Sequence, residues 1–240
     1  MSRVAGAPRV YRAILTVHDF FHYVSREMKT GAVEPYISST ALMYALNLHH
    51  RRQAARLVSG YAPHYREDLP SFTVYATPAV EEPAAPAAVG GRTLEGFGGD
   101  IVKITYNSVD ETLAVPMEVP KRINVPKQGA YYKYTPLTTF RFYTVGGRGP
   151  SLIRIGKKLV PARVAYTELR CERRRGVFRP SHPVPLIDID AGGYRVLGGV
   201  WVYVHPYPLL VDAVLEGDYY MCGREAVVVP PCDLYASVQA

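Results

Sequence analysis

Basic and aromatic side chains that could bind nucleic acid are concentrated in the stretch from Lys121 to Arg175. This stretch contains 14 Lys or Arg residues against two acids, a net charge of +12, whereas the whole chain of 240 residues carries only +7. The rest of the chain is therefore net acidic. Because such a charge asymmetry is typical of chains that bind a polyanion, the segment predicts a nucleic-acid partner.

Within this basic segment, cations and aromatic rings are interleaved on predicted strands. Phe140 and Phe142 share one strand face and Arg141 and Tyr143 the other, since alternate side chains point to opposite faces. Cations bind phosphates and unstacked bases stack on flat rings, so the pattern indicates single-stranded RNA. The candidate phosphate ligands are Lys127, Lys133, Arg141, Arg154, Lys157, Lys158 and Arg163. The candidate stacking platforms are Tyr131, Tyr132 and Tyr134. Gly156 has no Cβ and would let the backbone approach the RNA closely.

Other interpretations of these residues stay open. A solvated basic face beside ordinary core aromatics has the same composition, and such a face could also dock an acidic partner without any RNA. A metal-independent ribonuclease needs a general base near the 2′-hydroxyl and a cation to stabilise the developing charge. His18 or His22, with Tyr23 and Lys157, could supply these groups.

The sequence offers no motif for a cofactor or a metal. It contains neither a phosphate-binding GxxxxGK[ST] loop nor a Cys/His pattern with zinc spacing. His18-Asp19 resembles a metal-binding pair, but the further His and Asp ligands that such a site needs are missing. Asp188 and Asp190 resemble a metal-binding DxD pair and would share one face of a predicted strand, but we interpret them as a solvated strand end. We therefore predict neither metal nor cofactor.

The three cysteines, Cys171, Cys222 and Cys232, are odd in number and have no paired spacing. This predicts a reducing compartment rather than a disulfide scaffold, although Cys222 and Cys232 could pair. No signal peptide is recognisable, and no run approaches the roughly 18 apolar residues of a membrane helix. The sequence thus predicts a cytoplasmic protein without a membrane partner.

The elements that must position the basic residues are mostly strands. The apolar and β-branched pattern predicts them at residues Val10–Val17, 71–77, 101–106, 140–145, 152–155, 163–167, 200–205 and 226–229. We expect residues 200–205, the most β-rich run, to be central in a sheet. Helical spacing predicts one helix from Ser38 or Ser39, either of which could cap it, to about residue 58. A second helix is placed near residues 209–220, and the Pro/Ala/Gly-rich residues 78–99 are predicted to be a flexible loop. Together these elements predict an α+β fold.

Several pieces of the chain, taken in order, resemble the Csc family of type I-D CRISPR effector complexes, a Cas-five-type branch of the RAMP superfamily. The pieces are YRAILTVHDFFHYVSREM, ALMYALNL, NVPKQG, FRFYTV and LIRIGKKLVPARV. The most specific of them is the Arg-hydrophobic-Gly-Lys element at 154–157. The resemblance implies a RAMP-type, ferredoxin-like (RRM-like) core with additional strands, forming a single domain over residues 1–240. It also implies a protruding β-hairpin thumb at residues 101–134.

The same resemblance implies a function in antiviral defense. It describes a non-catalytic subunit that binds the 5′ handle of the crRNA and anchors the large subunit at the foot of a Cascade complex. A backbone subunit would be the second neighbour, and contact with target DNA through the complex is left open. Other Cas-five-type proteins cleave pre-crRNA, so a metal-independent pre-crRNA endoribonuclease is the alternative, although a separate type I-D subunit is expected to do this.

Overall fold

A computed structural model describes residues 9–23, 33–47, 65–82, 88–89, 92–93, 98–108, 127–156 and 159–231. These residues form an antiparallel α+β structure that is mostly β. The strands are β1 (Val10–Val17), β2 (Tyr36–Ile37), β3 (Tyr75–Ala76), β4 (Ala79–Glu82), β5 (Ala88–Val89), β6 (Arg92–Thr93), β7 (Ile101–Ser108), β8 (Lys127–Tyr134), β9 (Thr139–Val145), β10 (Leu152–Ile155), β11 (Val160–Leu169), β12 (Glu172–Phe178), β13 (Val184–Pro185), β14 (Arg195–Val202), β15 (Leu209–Cys222) and β16 (Glu225–Val228). The helices are α1 (Ser39–Leu46), α2 (Tyr65–Asp68) and α3 (Leu186–Gly192), with a 3₁₀ turn at Leu69–Ser71.

The first sheet is built around β1. In the described residues it has seven strands in the order β10-β11-β1-β9-β4-β2, with β3 also beside β9. Tyr11, Ala13, Leu15 and Val17 are buried on one face, and the intervening residues are partly covered on the other. This two-residue alternation is what a strand with one fully apolar face requires. We call the face of Tyr11 the core face and the opposite one the open face.

Helix α1 covers the core face with Leu42, Met43 and Leu46. Ser38 caps it, as expected, because its Oγ accepts a hydrogen bond from the backbone N–H of Ala41 at 3.3 Å. The helix ends at Leu46 rather than near residue 58. The Asn47 side chain donates to the carbonyls of Met43 and Val74 and so closes the helix end. Residues 48–64 lie outside the described residues.

The second sheet surrounds the long strand β15. Strands β12 and β13 pair along one side of it, and β14 and β16 pair along the other. The predicted helix at residues 209–220 is therefore wrong. Ala213, Leu215 and Tyr219 are buried on one face with a period of two, and Asp212 takes a positive φ of 50° that a helix would not allow.

Two further predictions about the second half of the chain are wrong. Residues 200–205 do not form a central strand, because β14 lies at the edge of the second sheet and is mostly exposed. Residues 187–190 form helix α3 and not a strand end. In that helix Asp188 is fully buried and accepts a hydrogen bond from the Tyr75 hydroxyl at 2.5 Å, so it ties α3 to the first sheet.

The structure also corrects part of the predicted loop at residues 78–99. Residues Ala79–Glu82 form β4, which pairs with both β2 and β9 in the first sheet. Strands β7 and β8 follow as an antiparallel pair with Ile101 opposite Tyr134 and Ser108 opposite Lys127. This pair occupies the ends of the range 101–134, and its identification as a thumb stays a prediction.

Side chains that cross between the two sheets join them, and a disulfide closes the end of the β12–β15 pair next to the connection from the first sheet. Cys171 and Cys222 are bonded, because the β12–β15 register puts Cys171 opposite Cys222 just beyond the pair Glu172–Met221. The cysteine count therefore missed this disulfide, and Cys222 pairs with Cys171 rather than with Cys232, which lies outside the described residues. Buried residues of β15 and β16 join the core of the first sheet. No helix in the described part of the chain is long and apolar enough to cross a membrane.

Candidate nucleic-acid interface

Two segments of the basic region meet the segment that follows β1 at one end of the first sheet. They are the turn between β10 and β11 and the end of β8. The backbones of Phe21 and Tyr134 exchange two hydrogen bonds of 2.8 and 2.9 Å. The His22 Nδ1 lies 2.8 Å from the backbone oxygen of Tyr132, which holds the β7–β8 hairpin against the same segment.

Gly156 brings the β10–β11 turn against this segment. Its φ is +74°, a backbone conformation that residues with a Cβ rarely adopt. A Cβ at this position would also lie 2.4 Å from Cε2 of Phe21. Glycine is thus required for the turn and for its packing on Phe21. A close approach of RNA to this backbone stays a prediction.

Arg154 and Arg163 lie on the open face near this turn. Arg154 pairs with Pro161 and Arg163 with Leu152 across the β10–β11 ladder, so both arginines share one face. Both are exposed, and Arg154 Nη1 donates to the carbonyl of Leu159 at 3.2 Å. Neither makes an ion pair with a carboxylate of the described residues. Their charge is available to an anion, while Lys157 and Lys158 lie outside the described residues.

Arg141 lies on the same open face but is engaged within the protein. Its Nε lies 3.3 Å from a Glu82 carboxylate oxygen and its Nη1 3.8 Å from Glu225, and it donates to the Tyr143 hydroxyl at 2.6 Å. Arg12 pairs with the same Glu225 at 3.4 Å. Arg141 therefore ties the two sheets together, which argues against its predicted role as a phosphate ligand.

The predicted stacking tyrosines have different environments. Tyr134 is buried, packs edge-on against Phe140 with ring centroids 5.3 Å apart, and donates to Glu81 at 3.0 Å. Burial, reinforced by Glu81, raises the pKa of its hydroxyl. Its ring has no exposed face, so its prediction as a stacking platform is wrong. Tyr132 is exposed and remains a candidate.

The structure describes the remaining candidate residues of β8 only in part. Lys133 is half-buried on β8 opposite Val102. The backbones of Lys127 and Tyr131 belong to the same strand, and their side chains lie outside the described residues. The register adds one residue that the sequence reasoning missed: Lys103 is exposed and lies opposite Tyr132. Only the pairing of β7 with β8 could have revealed this neighbour.

The histidine and carboxylate motifs do not assemble a metal site in the described residues, where no three His, Cys, Asp or Glu side chains are grouped to hold an ion. Asp19 instead accepts a hydrogen bond from the backbone N–H of Phe20 at 2.7 Å. Tyr23 is buried and donates to Ser38 Oγ at 2.8 Å. Its hydroxyl thus belongs to the cap of α1.

The fold and this site define a class: an antiparallel α+β protein with a cationic open sheet face beside an aromatic hairpin. The chain belongs to the family of the Type I-D CRISPR-associated protein Cas5/Csc1, whose family model matches residues 8–237. No curated protein matches the chain significantly. A similar solved structure is described as a CRISPR protein from Archaeoglobus fulgidus, with 13% sequence identity and a TM-score of 0.40, covering 92% of this chain and 99% of that chain.

Proposed function

We propose that this protein is a non-catalytic subunit of a type I-D effector complex and that it binds the 5′ handle of the crRNA. The observation that carries the proposal is the exposure of Arg154 and Arg163 on one face of the β10–β11 pair. The turn of this pair packs through Gly156 on Phe21, whose backbone pairs with Tyr134 at the base of the β7–β8 hairpin. Single-stranded RNA needs cations along its backbone and aromatic platforms for its bases, and this end of the sheet offers both.

The strand order supports a RAMP-type, ferredoxin-like core. Along the chain its four strands come in the order β1, β4, β9, β11. Across the sheet their order is β11-β1-β9-β4, so β1 lies between β11 and β9, and β4 lies outside β9. Helix α1 follows β1 and covers the core face, as a βαβ unit requires. Between β9 and β11, where a ferredoxin-like chain has its second helix, this chain has strand β10. The hairpin β7–β8 would then be the thumb, at the same end of the first sheet as the β10–β11 turn.

The proposal places the subunit at the foot of the complex, where it anchors the large subunit and contacts the first backbone subunit. Family membership supports a place in such an assembly. The ribonuclease alternative needs a base and a hydroxyl near the RNA. The buried His22 beside the Tyr132 backbone and the Tyr23 hydroxyl bound to Ser38 favour the non-catalytic assignment.

Fluorescence anisotropy with a labelled RNA carrying the 5′ handle of the cognate crRNA tests RNA binding. The double variant R154A/R163A should weaken binding about tenfold. It should also reduce the magnitude of the log–log salt slope by about 1.4, since each phosphate contact to a single strand contributes about 0.7.

The matched control is R174A/R195A. It removes two exposed arginines that are paired with Glu172 and Glu216 on the second sheet. This variant should bind like the unmodified protein, because its net charge changes equally but its arginines lie elsewhere. Equal losses in both variants would show unspecific attraction and overturn the proposed site. Handle-specific cleavage in EDTA, lost in H18A, would favour the ribonuclease.

A further inference from the structure

Large apolar side chains are gathered on the exposed edge of the second sheet. They are 40–62% exposed and are Val196, Leu197, Val200 and Trp201 of β14 and the following Tyr203. Isolated exposed apolar residues are common, but a run along one strand is typical of a surface that binds another protein. The open face of the first sheet, with its arginines, has the opposite character.

The backbone of β14 is paired on one side only. It pairs with β15, and no strand of the described residues pairs with its other side. The β14–β15 register is irregular from Val196 to Val200, a distortion that discourages further strand pairing. From Val200 to Val202 the register is regular, opposite Val211 to Leu209. This regular part leaves backbone donors and acceptors for one more strand.

The lack of charged side chains along this edge indicates which kind of partner it could bind. Residues 196–204 contain no Lys, Arg, Asp or Glu, and Arg195 at their start is paired with Glu216 at 3.5 Å. A phosphate backbone would find no cation on residues 196–204 themselves, so RNA is disfavoured. Trp201 lies opposite Leu210, which belongs to the buried core of the second sheet. The indole therefore extends that core to the surface, where an apolar side chain would cover it.

We propose that Val200–Tyr203 binds an extended, uncharged and apolar segment of a neighbouring protein subunit, which adds a strand to β14. Because alternate side chains of a strand point to opposite faces, Trp201 and Tyr203 would contact the added strand on one face of the sheet and Val200 on the other. Main-chain hydrogen bonds would supply the register and the aromatic rings the apolar contact. This inference rests on the proposed place of the chain in an effector complex but not on RNA binding.

A charge placed on this edge tests the inference in the assembled complex. The chain is co-expressed with the other effector subunits, and its amount is measured after purification through a tag on another subunit. V200K should reduce the amount recovered at least tenfold. The matched control is V177K, because Val177 is 59% exposed against 62% for Val200 and pairs with the same strand β15 from its other side. V177K should be recovered normally.

Hydrogen exchange identifies the added strand directly. Peptides covering Val200–Tyr203 should exchange at least tenfold more slowly in the complex than in the isolated chain, while those covering Val177 should not change. Normal recovery of V200K, or unchanged exchange at residues 200–203, would overturn the inference.

The stability and RNA binding of V200K, and the oligomeric state of the isolated chain, test the inference further. V200K must melt like V177K and bind the handle RNA as the unmodified chain does; loss of RNA binding in V200K would overturn the separation of the two surfaces. If the isolated chain forms a dimer that V200K dissociates, a second copy is the occupant and the proposed partner is wrong.

Discussion

The stability of the protein should depend on pH through His182, which lies between the two sheets. Its ring is buried, with Nδ1 donating to the Pro183 carbonyl at 2.8 Å and Nε2 accepting from the Val228 N–H at 3.3 Å. Tyr143 of the first sheet packs on it at 5.7 Å between ring centroids. Both ring nitrogens are thus used in the neutral form, and a second proton would displace the Val228 N–H.

Burial lowers the pKa of His182 from its ordinary 6.5 to about 4, and the nearby Arg141 acts in the same direction. The unfolded chain therefore takes up a proton at higher pH than the folded chain does. The stabilisation is fully present above pH 6.5 and is lost as the pH falls from there towards 4. At about pH 5 the loss from this one group amounts to about 2 kcal/mol, and its full extent is about 3 kcal/mol.

Urea unfolding at about pH 7.5 and about pH 5 measures this loss. The H182Q variant keeps a polar side chain that does not titrate, so its free energy of unfolding should fall by about 2 kcal/mol less over this interval than that of the unmodified protein. Other groups titrate equally in both proteins and cancel in the difference. H205Q, the same substitution at an exposed position between β14 and β15, is the matched control. Identical pH dependence in H182Q and the unmodified protein would refute the reasoning.

Three further outcomes follow from the packing and the disulfide. Reduction of Cys171–Cys222, which closes 51 residues, should lower the free energy of unfolding by roughly 4 kcal/mol, and an unchanged denaturation midpoint after reduction would contradict the disulfide. G156A should lower the melting temperature and destabilise by about 2 kcal/mol, because the turn needs positive φ and Phe21 fills the Cβ position; a variant as stable as the original would be inconsistent with this packing. Y132A should weaken handle binding about tenfold, whereas Y134F should cost about 1 kcal/mol of stability and leave RNA affinity unchanged in the anisotropy assay; the reverse ranking of affinities would exchange their roles.

Local pattern was enough to predict the centre of the first sheet. The alternation along β1 and the first half of β9 and the Ser38 cap depend on neighbouring residues alone, and the structure contains all three. Residues 209–220 were ambiguous because Leu209, Leu210, Ala213 and Val214 also fit helical spacing. Pairing of β15 with four other strands decides in favour of a strand, and that information is not local.

The candidate site was predictable in composition but not in arrangement. The charge excess identified Arg154 and Arg163, which are exposed on one face. The same excess could not distinguish Arg141, because its partner Glu225 is distant in sequence and approaches from the second sheet. Tyr132 and Tyr134 share one face of β8, and only the packing of Tyr134 on Phe140 distinguishes the core ring from the exposed one.

The proposed contact between the open face and the guide RNA is tested most directly by site-specific cross-linking in the assembled effector complex. A photoreactive benzoylphenylalanine replaces Arg163, and the cross-linked nucleotide is mapped by primer extension, with the same replacement at Val177 as the control. The account predicts cross-links from position 163 to the 5′ handle and none from position 177. Cross-links from position 163 to protein alone, or to the spacer instead of the handle, would contradict it.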